Sequence, residues 1–153
     1  MRIPVRIAAA LLALACSLPG AAQQINGYWR AASNNAAEIT GDISLSKNKL
    51  TMYFVRFPFV QARTLKPAEI SSVFDVALNA GGQGALYSLH VPAEQRFFGR
   101  NTLCGTEETQ WMAAYSSGNT LWVAFFSGER PPVFTIDAIA NSVDVCGRFV
   151  YVR

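Results

Sequence analysis

Two aromatic-rich runs joined by a glycine turn leave this chain few folds to choose from. Gln110 to Tyr115 and Thr120 to Phe126 flank Ser116-Ser117-Gly118-Asn119. Apolar runs of strand length on either side of a Gly-Asn turn read as an antiparallel hairpin. In the second run Leu121, Val123 and Phe125 share the strand with Trp122, Ala124 and Phe126, so both faces are apolar. A strand with one face in water alternates instead. Something must cover the second face: another sheet, the loop carrying Phe97 and Phe98, a partner chain or an apolar ligand.

The same pattern of short β-branched and aromatic runs, punctuated by Gly, Asn and Ser, recurs along the chain. Ile43 to Ser46, a Lys47-Asn48-Lys49 turn and Leu50 to Arg56 predict a second hairpin, with Leu50, Met52 and Phe54 on one face. Further strands are predicted at Gly27 to Ala32, Glu38 to Gly41, Val60 to Leu65, Ser72 to Leu78, Leu86 to Val91, Val133 to Ile136 and Val145 to Val152. Helix is predicted only as single turns starting at Pro67 and at Asp137. The expected fold is all-β, an antiparallel barrel or sandwich of about eight strands in one domain, since no Pro/Ser/Gly-rich linker divides residues 23–153.

Residues 1–22 read as a cleaved secretory signal. Arg2 and Arg6 precede an apolar run from Ile7 to Leu14, and Gly20-Ala21-Ala22 supplies the small residues of a cleavage site. The run falls short of the roughly 20 apolar residues that span a bilayer, and no later stretch predicts a transmembrane span. An alternative export route acylates Cys16, which follows Leu14-Ala15 in the manner of a lipoprotein box. Either route predicts a periplasmic or secreted protein. Without Arg2 and Arg6, the 13 basic residues become 11 against 10 acidic ones. A chain so close to neutral has no electrostatic footprint for nucleic acid.

Cys104 and Cys146 are the two cysteines that remain after the signal. In an oxidising compartment such a pair predicts a disulfide, and closing a loop of about 40 residues stabilises a fold by ~4 kcal/mol in the chain-entropy model. A catalytic thiol or a metal site is the alternative. Chemistry elsewhere is sparse. His90 is the single histidine, with Ser88 two residues earlier on the same strand face and Asp75 available for a triad. No G-x-S-x-G elbow accompanies them. Glu107-Glu108 sits in an expected loop, Gly81-Gly82-Gln83-Gly84 lacks the Lys-Ser/Thr ending of a phosphate loop, and nothing spaced as a metal or cofactor site is present. Arg56-Phe57-Pro58-Phe59 is expected to end a strand at Pro58 and to project Phe57 and Phe59 as an apolar tip for a partner.

Asn26-Gly27-Tyr28-Trp29 resembles the G-x-W opening of lipocalins and related calycin barrels. The resemblance implies a barrel whose floor is closed by Trp29, with Arg153 or Arg148 packed over it. The wider layout, including Ile39-Thr40-Gly41-Asp42-Ile43, Leu103-Cys104-Gly105 and Phe125-Phe126-Ser127-Gly128, resembles small exported bacterial β-proteins.

These readings together predict an exported, non-catalytic binding module of the protein-binding type, an inhibitor or envelope accessory. Two alternatives stay open: a calycin-like carrier of a small apolar ligand, and a hydrolase using His90. A carrier needs Trp29, Met52, Phe54 and Trp122 to converge on an internal cavity, whereas a protein binder displays Phe57 and Phe59.

Overall fold

Alternation along eight strands sorts the side chains into an inside and an outside, and the sheet closes on itself. The computed structural model describes residues 25–153, so the expected signal at residues 1–22, the expected cleavage after Ala22 and the alternative acylation of Cys16 lie outside the described residues. The strands are β1 (Gly27–Ala31), β2 (Ile43–Ser46), β3 (Lys49–Met52), β4 (Val55–Thr64), β5 (Gln83–Val91), β6 (Thr109–Ser117), β7 (Thr120–Phe126) and β8 (Val145–Val152). They run in sequence order around a closed antiparallel barrel, with β8 returning to β1 through Arg30↔Val152 and Ala31↔Tyr151. Closure leaves no free sheet edge. It also decides between the two expected architectures in favour of a barrel.

The β6–β7 hairpin forms as its turn chemistry predicts, with Ser117 opposite Thr120 around Gly118-Asn119. Alternate residues fill the barrel: Leu121, Val123 and Phe125 from β7 meet Met112 and Ala114 from β6, Phe149 and Tyr151 from β8, and Trp29 from β1. The other face of β7 carries Ala124 and Phe126, which pack into a second apolar cluster outside the barrel. Two helices provide that cover, α1 (Pro67–Phe74) with Ile70, Val73 and Phe74, and α2 (Ile136–Ala140) with Ile139, joined by Phe134 edge-on to Phe126. The intrachain answer to the two-faced strand is therefore these helices. Phe97 instead joins the inner cluster and meets Phe57.

Three expected strands take other forms. Ser72 to Leu78 lies in and after α1: its β-branched and aromatic residues read as strand, but Ile70, Val73 and Phe74 stand at helical spacing. Pro67 at the first helical position and Glu69, which accepts the Lys66 N–H at 2.9 Å, start the helix. Arg148 on β8 donates to the Val73 carbonyl and ties α1 to the barrel wall. Glu38 to Gly41 is a π-helical turn, Ala36–Thr40, begun by the Asn35 side chain accepting from the Ala36 N–H and ended by Gly41 at φ 63°. Val133 to Ile136 leads into α2, where the Thr135 hydroxyl accepts from the Ala138 N–H at 3.2 Å.

The largest departure lies between β3 and β4. Leu50 to Arg56 is not one strand: the chain reverses at Tyr53-Phe54, with Met52 opposite Val55. Pro58 does not end the ladder. It lies opposite Lys49 at the outer end of the β3–β4 pairing, and β4 continues to Thr64 against β5.

The disulfide between Cys104 and Cys146 is formed and ties the segment before β6 to the start of β8, joining two cysteines 42 positions apart in the sequence.

Candidate functional site

The residues expected to form a site do not come together. Phe57 and Phe59 point into the barrel, only 4% and 6% exposed, with the Phe57 ring 6.2 Å from Phe97 and Phe59 edge-on to Tyr87 at 5.0 Å. This corrects the expectation of a projecting tip: β4 runs through Pro58, so the alternation that buries Phe57 also buries Phe59. Trp29 is fully buried and donates its indole N–H to the Ile25 carbonyl at 2.8 Å. The Arg153 guanidinium lies 4.2 Å from the Trp29 ring centre and donates to the Asn26 carbonyl, so Arg153 rather than Arg148 is the arginine over the tryptophan. Trp122 is on the outside, stacked on Tyr115 at 5.0 Å. Met52 is inside and Phe54 is in solvent, so the set required for a carrier does not converge.

His90 meets Glu108 at 3.7 Å, with both side chains more than half exposed. Asp75 is the left-handed cap of α1 rather than a strand neighbour of His90. Among the described residues no group of three or more His, Cys, Asp or Glu is placed to hold a metal ion.

A different place on the molecule gathers exposed aromatic side chains. A cleft of about 550 Å³ opens on the outer face of β1–β3, lined among others by Tyr28, Asp42, Ser44, Thr51, Tyr53 and Phe98, with Phe54 at its rim. Tyr28, Ser44 and Thr51 lie side by side across the three strands, because Tyr28 pairs with Ser44 and Ser44 with Thr51. Their polar atoms therefore form the floor. Tyr53 and Phe98 form a wall, edge to face at 4.6 Å.

Backbone conformation holds this wall in place. Among the described residues, four other than glycine have positive φ, and three of them, Tyr53, Phe54 and Arg100, lie in the two turns that present the wall. Tyr53 (47°) and Phe54 (66°) are the central pair of a two-residue hairpin, a position where Asn-Gly is the low-energy choice. Phe54 is thereby held 93% exposed. Phe98 rests on Gly41, where a Cβ would run into the ring, so glycine is required there by contact as well as by its φ of 63°.

Asp42 is the charged residue of the lining. The Tyr28 hydroxyl donates to one carboxylate oxygen, and the Ala31 N–H donates to the other at 2.8 Å. These two bonds, the hydroxyl first, hold the Asp42 carboxyl below its ordinary range, and Arg30 adds a smaller pull in the same direction. The same hydrogen bond raises the Tyr28 phenol. Neutral donors fix the carboxylate without cancelling its charge.

Sequence reasoning passed over this cleft. Tyr53-Phe54 carries no turn signal, and Ile39-Thr40-Gly41-Asp42-Ile43 is a recognisable string whose role appears only when Phe98 is seen lying on its glycine. No protein-family model, curated protein or solved structure matches the chain.

Proposed function

We propose that this protein is a non-catalytic binding module that works after export and takes a protein partner in the aromatic cleft on β1–β3. The observation that carries the reading is Phe54, a large apolar side chain 93% exposed on a turn whose two central residues are both left-handed without being glycine. Conformations of this kind are costly and cluster where a surface does something. Aromatic side chains are also the commonest anchors of protein interfaces.

The barrel interior supports a surface site over a carried ligand, because Trp29, Leu50, Met52, Phe125 and Phe149 fill it with their own side chains. The Cys104–Cys146 bond supports an oxidising compartment. Arg153 over Trp29 is the pairing that the calycin resemblance implies, and it supports a likeness in how the barrel is closed.

Capture from envelope extract tests the function. Wild-type protein is expected to retain a partner that a Phe54→Ser, Phe98→Ser double variant loses while keeping its melting temperature. A folded double variant that retains every partner overturns the reading.

A further inference from the structure

The cleft has a charge as well as a shape, and the choice of occupant below depends on its being the partner's site. Twelve residues line it, and eleven of them are uncharged. The exception, Asp42, is ionised, with one bond to each oxygen. A carboxylate offers about four acceptor positions, so roughly two remain for a ligand. The Tyr28, Tyr53 and Phe98 rings, each more than a third exposed, line the same cleft, and Arg30 exerts only a minor attraction on the carboxylate from outside the lining. A carboxylate among aromatic rings favours a cation that stacks and donates at the same time.

Among protein side chains the guanidinium fits this best. It is flat, weakly hydrated and always charged, it stacks on aromatic faces, and it forks onto carboxylates with two parallel N–H bonds. A lysine ammonium is a compact, strongly hydrated point charge and leaves the ring faces less well used. The floor adds a direction. Ser44 and Thr51 are neighbours across β2 and β3, so a peptide lying along the cleft meets a hydroxyl on each strand.

We propose that the cleft takes an arginine side chain from an extended segment of the partner protein, with Asp42 as its counter-charge and Tyr28, Tyr53 and Phe98 as its stacking surfaces. The charge complementarity of a single acidic group in an otherwise neutral aromatic lining is what selects this occupant.

The test is a titration of the isotopically labelled protein, monitored by amide chemical shifts. The probes are an N-acetylated Ser-Gly-Arg-Gly-Ser amide, the same peptide with citrulline for arginine, and N-acetylglucosamine. Citrulline keeps the planar shape and loses the charge. The arginine peptide is expected to move the amides of Asp42, Tyr53 and Phe98 saturably and to bind about tenfold tighter than the citrulline peptide, the difference between a charged and a neutral hydrogen-bonded pair. Asp42→Asn is expected to abolish that preference, so that the two peptides bind the variant equally. Should the variant fold poorly, salt serves instead: raising it from low to high must weaken the arginine peptide and spare the citrulline one.

Equal binding of the two peptides at these amides overturns the arginine assignment and leaves the partner site standing. A response to N-acetylglucosamine alone overturns both, since the cleft is then a sugar site. Silence from every probe overturns the assignment, while the partner site is judged separately by the Phe54→Ser, Phe98→Ser capture.

Discussion

Replacing Phe54 with glycine is expected to make the protein more stable and less able to bind. An L-residue in the left-handed region is disfavoured by roughly 1–2 kcal/mol, which glycine does not incur. Glycine loses about 0.5–1 kcal/mol more backbone entropy on folding. The ring contributes little to offset this, because Phe54 is 93% exposed and its closest aromatic neighbour, Tyr53, is 6.0 Å away at a tilt of 51°. A tilted, solvent-exposed contact at that separation falls at the low end of the range for aromatic pairs, ~0.5 kcal/mol. The net is a gain of about 0.5 kcal/mol, or a melting temperature higher by ~2 °C for a domain of this size. Urea denaturation measures it cleanly, since an unchanged slope with a raised midpoint is a change in stability alone. Capture of the partner by the same variant must fall. A lowered midpoint refutes the reasoning, because Phe54 would then be holding the fold together and its exposure would need no function.

Other positions should respond in the opposite sense. Phe57→Ala, which empties a buried place in the barrel, is expected to cost ~3–5 kcal/mol in the same denaturation assay, unlike any change at Phe54. Arg153→Ala removes the guanidinium from the Trp29 face and from the Asn26 carbonyl, and should cost about 1–2 kcal/mol with a change in tryptophan emission. Cys104→Ser with Cys146→Ser releases a closure spanning 42 residues and should lower stability by up to ~4 kcal/mol, read as a fall in urea midpoint. Alkali should destabilise the barrel through Tyr87, whose phenol is pushed up from 10.0 to about 12 by burial, and through Tyr151, which burial raises further. A raised folded value means that the stabilisation is complete below pH ~10 and is lost as pH rises toward ~12, because the unfolded chain gives up the proton first. Tyr87→Phe should remove only part of the stability loss across that window, leaving the share of Tyr151.

The fold was legible wherever local signals and long-range packing agree. Gly118-Asn119 between two aromatic runs specifies the β6–β7 turn, and the doubly apolar Thr120 to Phe126 run announces that β7 is covered on both sides. What covers it was harder to read. Val73, Phe74 and Val76 have the composition of a strand, and only the spacing of Ile70, Val73 and Phe74 together with Pro67 and Glu69 shows a helix. Pro58 misled because proline usually ends a ladder, yet at the outer end of the β3–β4 pairing its missing donor is tolerated. That single misreading was enough to turn Phe57 and Phe59 outward in the expected fold.

The cleft was invisible for a deeper reason. A left-handed turn normally signals itself by glycine or asparagine, because those residues adopt it at little cost. Tyr53 and Phe54 adopt it against local preference, held by the β3 and β4 pairing on either side, Met52↔Val55 and Thr51↔Arg56. Tertiary structure therefore fixes a conformation that the local sequence resists, and a single sequence carries no trace of that. The one local mark is Gly41, whose missing side chain gives Phe98 its place, and the same segment supplies Asp42 one residue later. A closed barrel with a filled interior has only its outer face and its ends on which to meet another molecule. Here the strain, the exposed rings and the uncancelled carboxylate fall together on one part of that face, and this coincidence ties the binding proposal to the fold.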